Sequence, residues 1–260
     1  MASRTTRPWT ARTLAVVTAC LVLGHGCGAQ PDPEPTPAAG ASASEGRCAR
    51  PLGGEETVLE VAADVRLPAA VYGEPGTDTA LVLLHQTNLD GLCGWDAFGR
   101  DAVERGFAAV SFDMCGWGAS ECPEEWSEQT SEQVAAVVDL ARTDLDADRV
   151  VLVGASMGGA RTVFAMADGV DADAWVSLSG APAWDGRVTA DEAAAIGAPG
   201  MVMHDPDDGD AEFAASRLTA ERADAEFVRG RGGHGYDMVL RIDGGLTPLG
   251  ERVLDFAAGP

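Results

Sequence analysis

Short apolar runs closed by turn residues alternate with helix-spaced segments along most of this chain, and that alternation limits the possible folds more than any other feature of it. "ETVLEV" and "VRLPAAVY" read as opening strands, and "ALVLLH" at 80–85 reads as a buried one. "WDAFGRDAVERG" reads as a helix ended by Gly106; the strand "FAAVSFD", a loop rich in Gly and Cys, and a helix over about 127–142 follow. "RVVLVG", a helix over 156–167, "AWVSLSG", a short helix near Ala190 and "GMVMH" continue the series. A helix near 211–223, "AEFVRG" and a last helix ending near Phe256 complete it. Strands that are apolar throughout need cover on both faces, and repeated strand–helix alternation supplies that cover in a mostly parallel sheet. The expected class is therefore α/β, with one domain over 50–260 and no internal repeat.

Within the series, "VVLVGASMGG" at 150–159 interrupts an apolar run with Gly154, Ser156, Gly158 and Gly159. The pattern predicts a buried strand that turns abruptly into a helix, with glycines at the tight turn and one hydroxyl at its apex. A Gly-x-Ser-x-Gly arises by chance in such a Gly-rich chain with an expectation of roughly 0.15, so its surroundings decide its meaning. Ser156 follows the carboxyl end of a strand, where α/β sheets place their chemistry.

A serine hydroxyl needs a base to take its proton, and the base needs a carboxylate to orient it and stabilise its cation. His234, in "RGRGGHGYD" after the strand ending at Val228, is the candidate base, in a glycine-rich loop that leaves its ring room. The acid is sought in "MVMHDPDDGD", where Asp208 stands four residues past the strand-end His204, with Asp207 as runner-up and Asp205 third. The chain order Ser, Asp, His suits a nucleophile on a strand-to-helix turn. His85 and His204 with the carboxylates of "HDPDDGD" raise a metal alternative. A calcium loop wants Gly at its sixth position and Glu at its twelfth, and counting from Asp205 puts Gly209 fifth and Ser216 twelfth. No Cys or His spacing suits zinc, and neither a metal nor a cofactor is expected.

With these residues in view, the stretch from about 55 to 256 resembles the α/β-hydrolase superfamily, near its small, lidless dienelactone-hydrolase-like branch. The likeness rests on "LLHQ" at 83–86, "FDMCGWGAS" at 112–120, "GASMGG" at 154–159, the Asp-rich turn and "GGHG" at 232–235. It implies Ser156 as nucleophile, His234 as general base and then acid, and Asp208 as the orienting carboxylate. It also implies the backbone N–H groups of Met157 and Gln86 as an oxyanion hole. Gln86 stands where the family usually has Gly, and Met114-Cys115 replaces a frequent Arg. Trp117 and Trp184 are candidates to line a substrate pocket. Lids in this superfamily usually follow the strand read here in "AWVSLSG"; only about twenty residues, 180–199, are available there, so a minimal cap or none is expected.

Arg4, Arg7 and Arg12 precede an apolar run at 14–24, too short to span a bilayer and suited to the core of a signal peptide. The segment resembles a bacterial lipoprotein signal, whose cysteine becomes the lipid-bearing first residue of the mature chain. Cys27 is the expected lipidation site because the chain turns polar and Pro-rich after it, although Leu23 and His25 depart from the usual pattern; Cys20 is the alternative. The expected organisation is a signal peptide at 1–27, a disordered Pro/Ala/Ser-rich tether at 28–49 and the domain at 50–260. The protein is expected outside the cell, held on the membrane by its lipid or else secreted. In that oxidising setting Cys48, Cys93, Cys115 and Cys122 allow two disulfides in three pairings, with Cys115–Cys122 plus Cys48–Cys93 preferred. A net charge of −23 argues against a nucleic-acid partner, whose backbone needs a positive surface.

The function expected from these features is hydrolysis of small or soluble carboxylic esters through an acyl-enzyme, by a monomer that meets a membrane only through its anchor. An acyltransferase or peptidase with the same triad, or a non-catalytic surface-binding lipoprotein, are the alternatives.

Overall fold

The computed structural model describes residues 47–88 and 90–259. The signal peptide, Cys27 and residues 28–46 of the tether lie outside the described residues.

Eight strands form one sheet in the order β1 (Glu55–Ala62), β2 (Val65–Tyr72), β4 (Ala108–Phe112), β3 (Thr79–Leu84), β5 (Arg149–Ala155), β6 (Ala174–Leu178), β9 (Gly200–His204), β10 (Glu226–Arg229). β2 runs antiparallel to both its neighbours, and from β4 to β10 every neighbouring pair is parallel. The chain leaves β3 for β4 on one side and then crosses back to β5 on the other. The carboxyl ends of β3 and β5 thus flank the point where the order reverses.

β3, β4, β6 and β9 are buried along their whole length. Alternation along β3 sends Ala80, Val82 and Leu84 into one core layer and Leu81 and Leu83 into the other. The first layer is closed by α2 (Thr130–Thr143) through Val134, Val137 and Val138, by α3 (Met157–Ala167) through Val163, and by α5 (Asp210–Arg222) through Ala220. The second is closed by α1 (Asp96–Glu104) through Phe98 and Ala102, by α6 (Tyr236–Val239) through Met238, and by α7 (Pro248–Ala257) through Val253 and Leu254. The i, i+3, i+4 spacing on α2 is what turns one helical stripe towards the sheet. Each fully buried Leu or Val side chain contributes roughly 1.5–3 kcal/mol.

The insert between β6 and β9 is a small subdomain. It consists of a hairpin of β7 (Ala183–Trp184) and β8 (Arg187–Val188) followed by α4 (Thr189–Ala193). Its turn is Asp185-Gly186, with φ of 48° and 75°, the two left-handed positions that a two-residue hairpin connection requires.

The packed body reaches back into the segment expected to be tether. Cys48 is bonded to Cys93, and the Arg47 guanidinium meets the fully buried Asp113 carboxylate at 2.7 Å. The second disulfide joins Cys115 to Cys122 across the loop after β4. Among the described residues no helix is long and apolar enough to cross a membrane.

Candidate active site

Ser156 lies between β5 and α3 with φ 52° and ψ −114°, a backbone state that side-chain-bearing residues rarely hold. The glycines around it are there for contact. A Cβ on Gly154 would collide with the Gly158 carbonyl, and one on Gly158 with the carbonyl oxygens of Leu84 and His85. A Cβ on Gly159 would stand 2.9 Å from the Gly180 Cα. Backbone thus packs on backbone where β3, β5, β6 and α3 meet. The Ser156 N–H donates to the Leu178 carbonyl at 2.8 Å, which ties the turn to the end of β6.

His234 sits in the loop between β10 and α6, with its side chain 44% exposed. Its Nδ1–H donates to Asp208 Oδ2 at 2.5 Å; a carboxylate accepts only, so the proton belongs to the ring nitrogen. Asp208 ends a 3₁₀ turn, Pro206–Asp208, that follows β9. Asp207 makes no such contact with His234, and its backbone N–H instead donates to Asp205 Oδ1 at 2.9 Å. Asp205 takes a different part: its second oxygen accepts the Gly233 N–H at 2.9 Å, so one carboxylate joins the acid turn to the histidine loop.

The histidine loop also reaches the serine turn. The Gly235 N–H donates to Ser179 Oγ at 3.2 Å, just past β6, and a Cβ on Gly235 would lie 3.4 Å from that of Ala155. Among the described residues, the Ser156 hydroxyl itself has no hydrogen-bond partner.

Gln86 faces Tyr236 through both its backbone and its side chain. Its backbone N–H donates to the Tyr236 hydroxyl at 3.0 Å, and its side-chain oxygen faces the Tyr236 N–H at 3.5 Å. In this arrangement the Gln86 N–H is thus already engaged by a buried tyrosine. The backbone N–H groups of Thr87, one residue on, and of Met157, at the N-terminus of α3, have no acceptor among the described residues. The strand-end His85 holds this loop. Its Nε2 accepts the Met114 N–H at 3.1 Å, so its Nδ1 carries the proton and donates to the Gln86 carbonyl at 2.9 Å. Burial pushes the His85 pKa down to about 4, which keeps the ring neutral and this bonding pattern intact.

Trp117 stands edge-on to His85 with ring centres 6.2 Å apart, and both Trp117 and Trp184 are half-buried against the core layer that α2 and α3 close. The Trp184 indole N–H is buried without a partner among the described residues.

The residues that sequence reasoning missed are Asp205 as a bridge, Ser179, and Tyr236. Asp205 did leave a signal, since Asp followed directly by Pro reads as the capped start of a helical turn. Ser179 and Tyr236 left none, because their partners lie 56 and 150 residues away along the chain. Among the described residues no group of His, Cys, Asp and Glu is arranged to hold a metal ion.

A family model described as "alpha/beta hydrolase fold" matches residues 80–185. Est1E from Butyrivibrio proteoclasticus, solved with ferulic acid bound, is similar in structure at 20% identity, with 77% of this chain and 96% of that one covered and a TM-score of 0.60. A predicted CIB-like hydrolase from Thermoplasma acidophilum superposes with a TM-score of 0.61 at 17% identity over 79% of this chain and 98% of that one. Dienelactone hydrolase from Anabaena variabilis does so with a TM-score of 0.60 at 16% identity over 78% and 95%. No curated protein matches the chain by sequence. The sheet order, the helices on both faces and these superpositions establish that the chain has the α/β-hydrolase fold.

Proposed function

We propose that this protein is a serine hydrolase that cleaves carboxylic esters through an acyl-enzyme. The observation that carries the reading is the 2.5 Å bond between His234 and Asp208, in a loop that adjoins a serine held at φ 52°. In this mechanism His234 Nε2 takes the Ser156 proton as Oγ attacks the ester carbonyl, and Asp208 stabilises the imidazolium that forms. The developing oxyanion is held by the Met157 N–H, aided by the helix N-terminus behind it, and by the Thr87 N–H, which takes the place expected for Gln86. His234 then hands its proton to the leaving alcohol, and water activated by the same ring releases the acid. Esters suit this site better than amides because their leaving groups are better.

The small insert between β6 and β9 supports small or soluble esters over large interfacial ones. The net charge of −23 disfavours anionic esters at low salt, where such a field acts over longer distances. We further propose export, with Cys27 as the lipid-bearing residue. The basic start, the short apolar run and the polar, Pro-rich stretch after Cys27 support it.

The test is labelling with a fluorophosphonate, alongside turnover of p-nitrophenyl acetate, for wild type, Ser156→Ala and His234→Ala. The expected result is labelling of wild type only, with kcat/KM lowered on the order of 10⁴-fold or more in either variant. A folded wild type that neither labels nor turns over ester would exclude the reading.

A further inference from the structure

Asp208 has a second imidazole behind it. His204, the last residue of β9, is 2% exposed, and its Nε2 lies 3.5 Å from Asp208 Oδ2, the same oxygen that accepts from His234. On its other side, His204 Nδ1 is 2.8 Å from Ser216 Oγ on α5. Because a carboxylate can only accept, Nε2 carries the ring proton, Nδ1 accepts from the Ser216 hydroxyl, and the ring is neutral. Burial keeps it so, by lowering the pKa of His204 against the opposing pull of Asp208. Among the described residues Nε2 has no hydrogen-bond partner, and a buried donor left unmade is costly, so the attraction is directed at Asp208, the carboxylate within ion-pair distance of it.

We propose that His204 is a positioning residue for the Asp208–His234 pair: fixed by Ser216, it aims Nε2–H at Asp208 Oδ2 and holds that carboxylate in the orientation that accepts from His234. At 3.5 Å the contact is a charge–dipole attraction, and a small rotation of Asp208 converts it to a hydrogen bond. The consequence for turnover rests on the triad reading above; the effect on the pair itself does not. The other groups facing His204 are Asp205 from its own turn, Glu212 and the Phe213 ring from α5, His234, and Arg229 beside it on β10. The Arg229 guanidinium lies over the Phe213 ring.

The test uses His204→Leu, His204→Gln and Ser216→Ala in the full chain. Three quantities are read: the thermal midpoint, the pH profile of kcat/KM for p-nitrophenyl acetate, and the downfield proton resonance of the His234 Nδ1–H···Asp208 bond. His204→Leu frees Asp208 to turn away. It is expected to lower kcat about tenfold with KM within about twofold, to move the acid limb of the profile to lower pH, and to abolish the resonance. His204→Gln, whose amide can still donate to Asp208, is expected to restore kcat to within about threefold of wild type. Ser216→Ala, which releases the ring tautomer, should show the same changes at smaller size. A His204→Leu protein that melts earlier but keeps its acid limb and its resonance would overturn the proposal and leave His204 a packing residue. The resonance is read without turnover, so a protein inactive towards esters still decides the role of His204.

Discussion

The turn that holds Ser156 and the loop that holds His234 meet at one site and are kept in place by opposite means. Around Ser156 the restraint is steric: glycines let main chain touch main chain, and Gly154, Gly158 and Gly159 have no room for a Cβ. Around His234 the restraint is a set of hydrogen bonds accepted by side chains: Asp205 accepts the Gly233 N–H, Ser179 the Gly235 N–H, and Asp208 the ring's own Nδ1–H. The first arrangement cannot be loosened without disturbing the sheet, whereas the second can be undone one bond at a time. Under the proposed mechanism Ser156 needs a fixed position, whereas His234, carrying a proton between two oxygens, needs a ring free to rock. The 44% exposure of the His234 side chain, against complete burial of the flanking Ala155 and Met157, fits that division.

The contrast can be broken most severely at Gly158. Gly158→Ala forces a methyl group into the Leu84 and His85 carbonyl oxygens, and it should destabilise the protein by roughly 3 kcal/mol or more or prevent folding. Soluble yield and the urea midpoint measure it, and a variant within about 1 kcal/mol of wild type would show the serine turn to be far softer than its contacts imply.

Acid tests the buried side next. The folded-state pKa of His85 lies near 4, below its ordinary 6.5, so its contribution to stability is full above pH 6.5 and is lost as pH falls towards 4. By linkage that loss is about 3 kcal/mol, and His204, also pushed down by burial, adds to it in the same direction. Denaturant midpoints across that window should fall, and His85→Gln should flatten the slope. Asp168 and Asp173, whose pKa values are lowered by arginine partners and a backbone bond, stabilise the fold above the usual carboxylate range and lose that contribution as pH falls through it.

The histidine loop should give a smaller structural response and a larger functional one. Asp205→Ala removes the acceptor for Gly233 and Asp207 and is expected to cost about 1–2 kcal/mol of stability. If the proposed triad operates, ester turnover falls about tenfold or more through a misplaced ring. Equal losses of stability in Asp205→Ala and Gly158→Ala would erase the distinction between the two regions.

The same difference explains what could be read in advance. β3, β5 and β9 announce themselves as unbroken apolar runs because both faces of each are covered, and Ser156, Asp208 and His234 each follow a strand end. Steric glycines leave a local trace, and "GASMGG" is such a trace. Hydrogen bonds between distant segments leave none. That Gln86 spends its N–H on Tyr236 depends on how the end of β3 meets α6, and nothing near Gln86 in the chain reports it. The β7–β8 hairpin was legible in principle from Asp185-Gly186, but its strands are two residues long and carry no periodicity. α6, at four residues, is likewise too short for a helical pattern to show.

The left-handed backbone at Ser156 has one more consequence. Such a conformation costs a residue with a side chain roughly 1–3 kcal/mol, and glycine adopts it without that penalty. Ser156→Gly should therefore melt at a higher temperature than Ser156→Ala and can melt above the unaltered protein. A library of this chain screened for thermal resistance alone would drift towards glycine at 156, and, under the proposed mechanism, its hardiest members would lack the hydroxyl on which an acyl-enzyme forms.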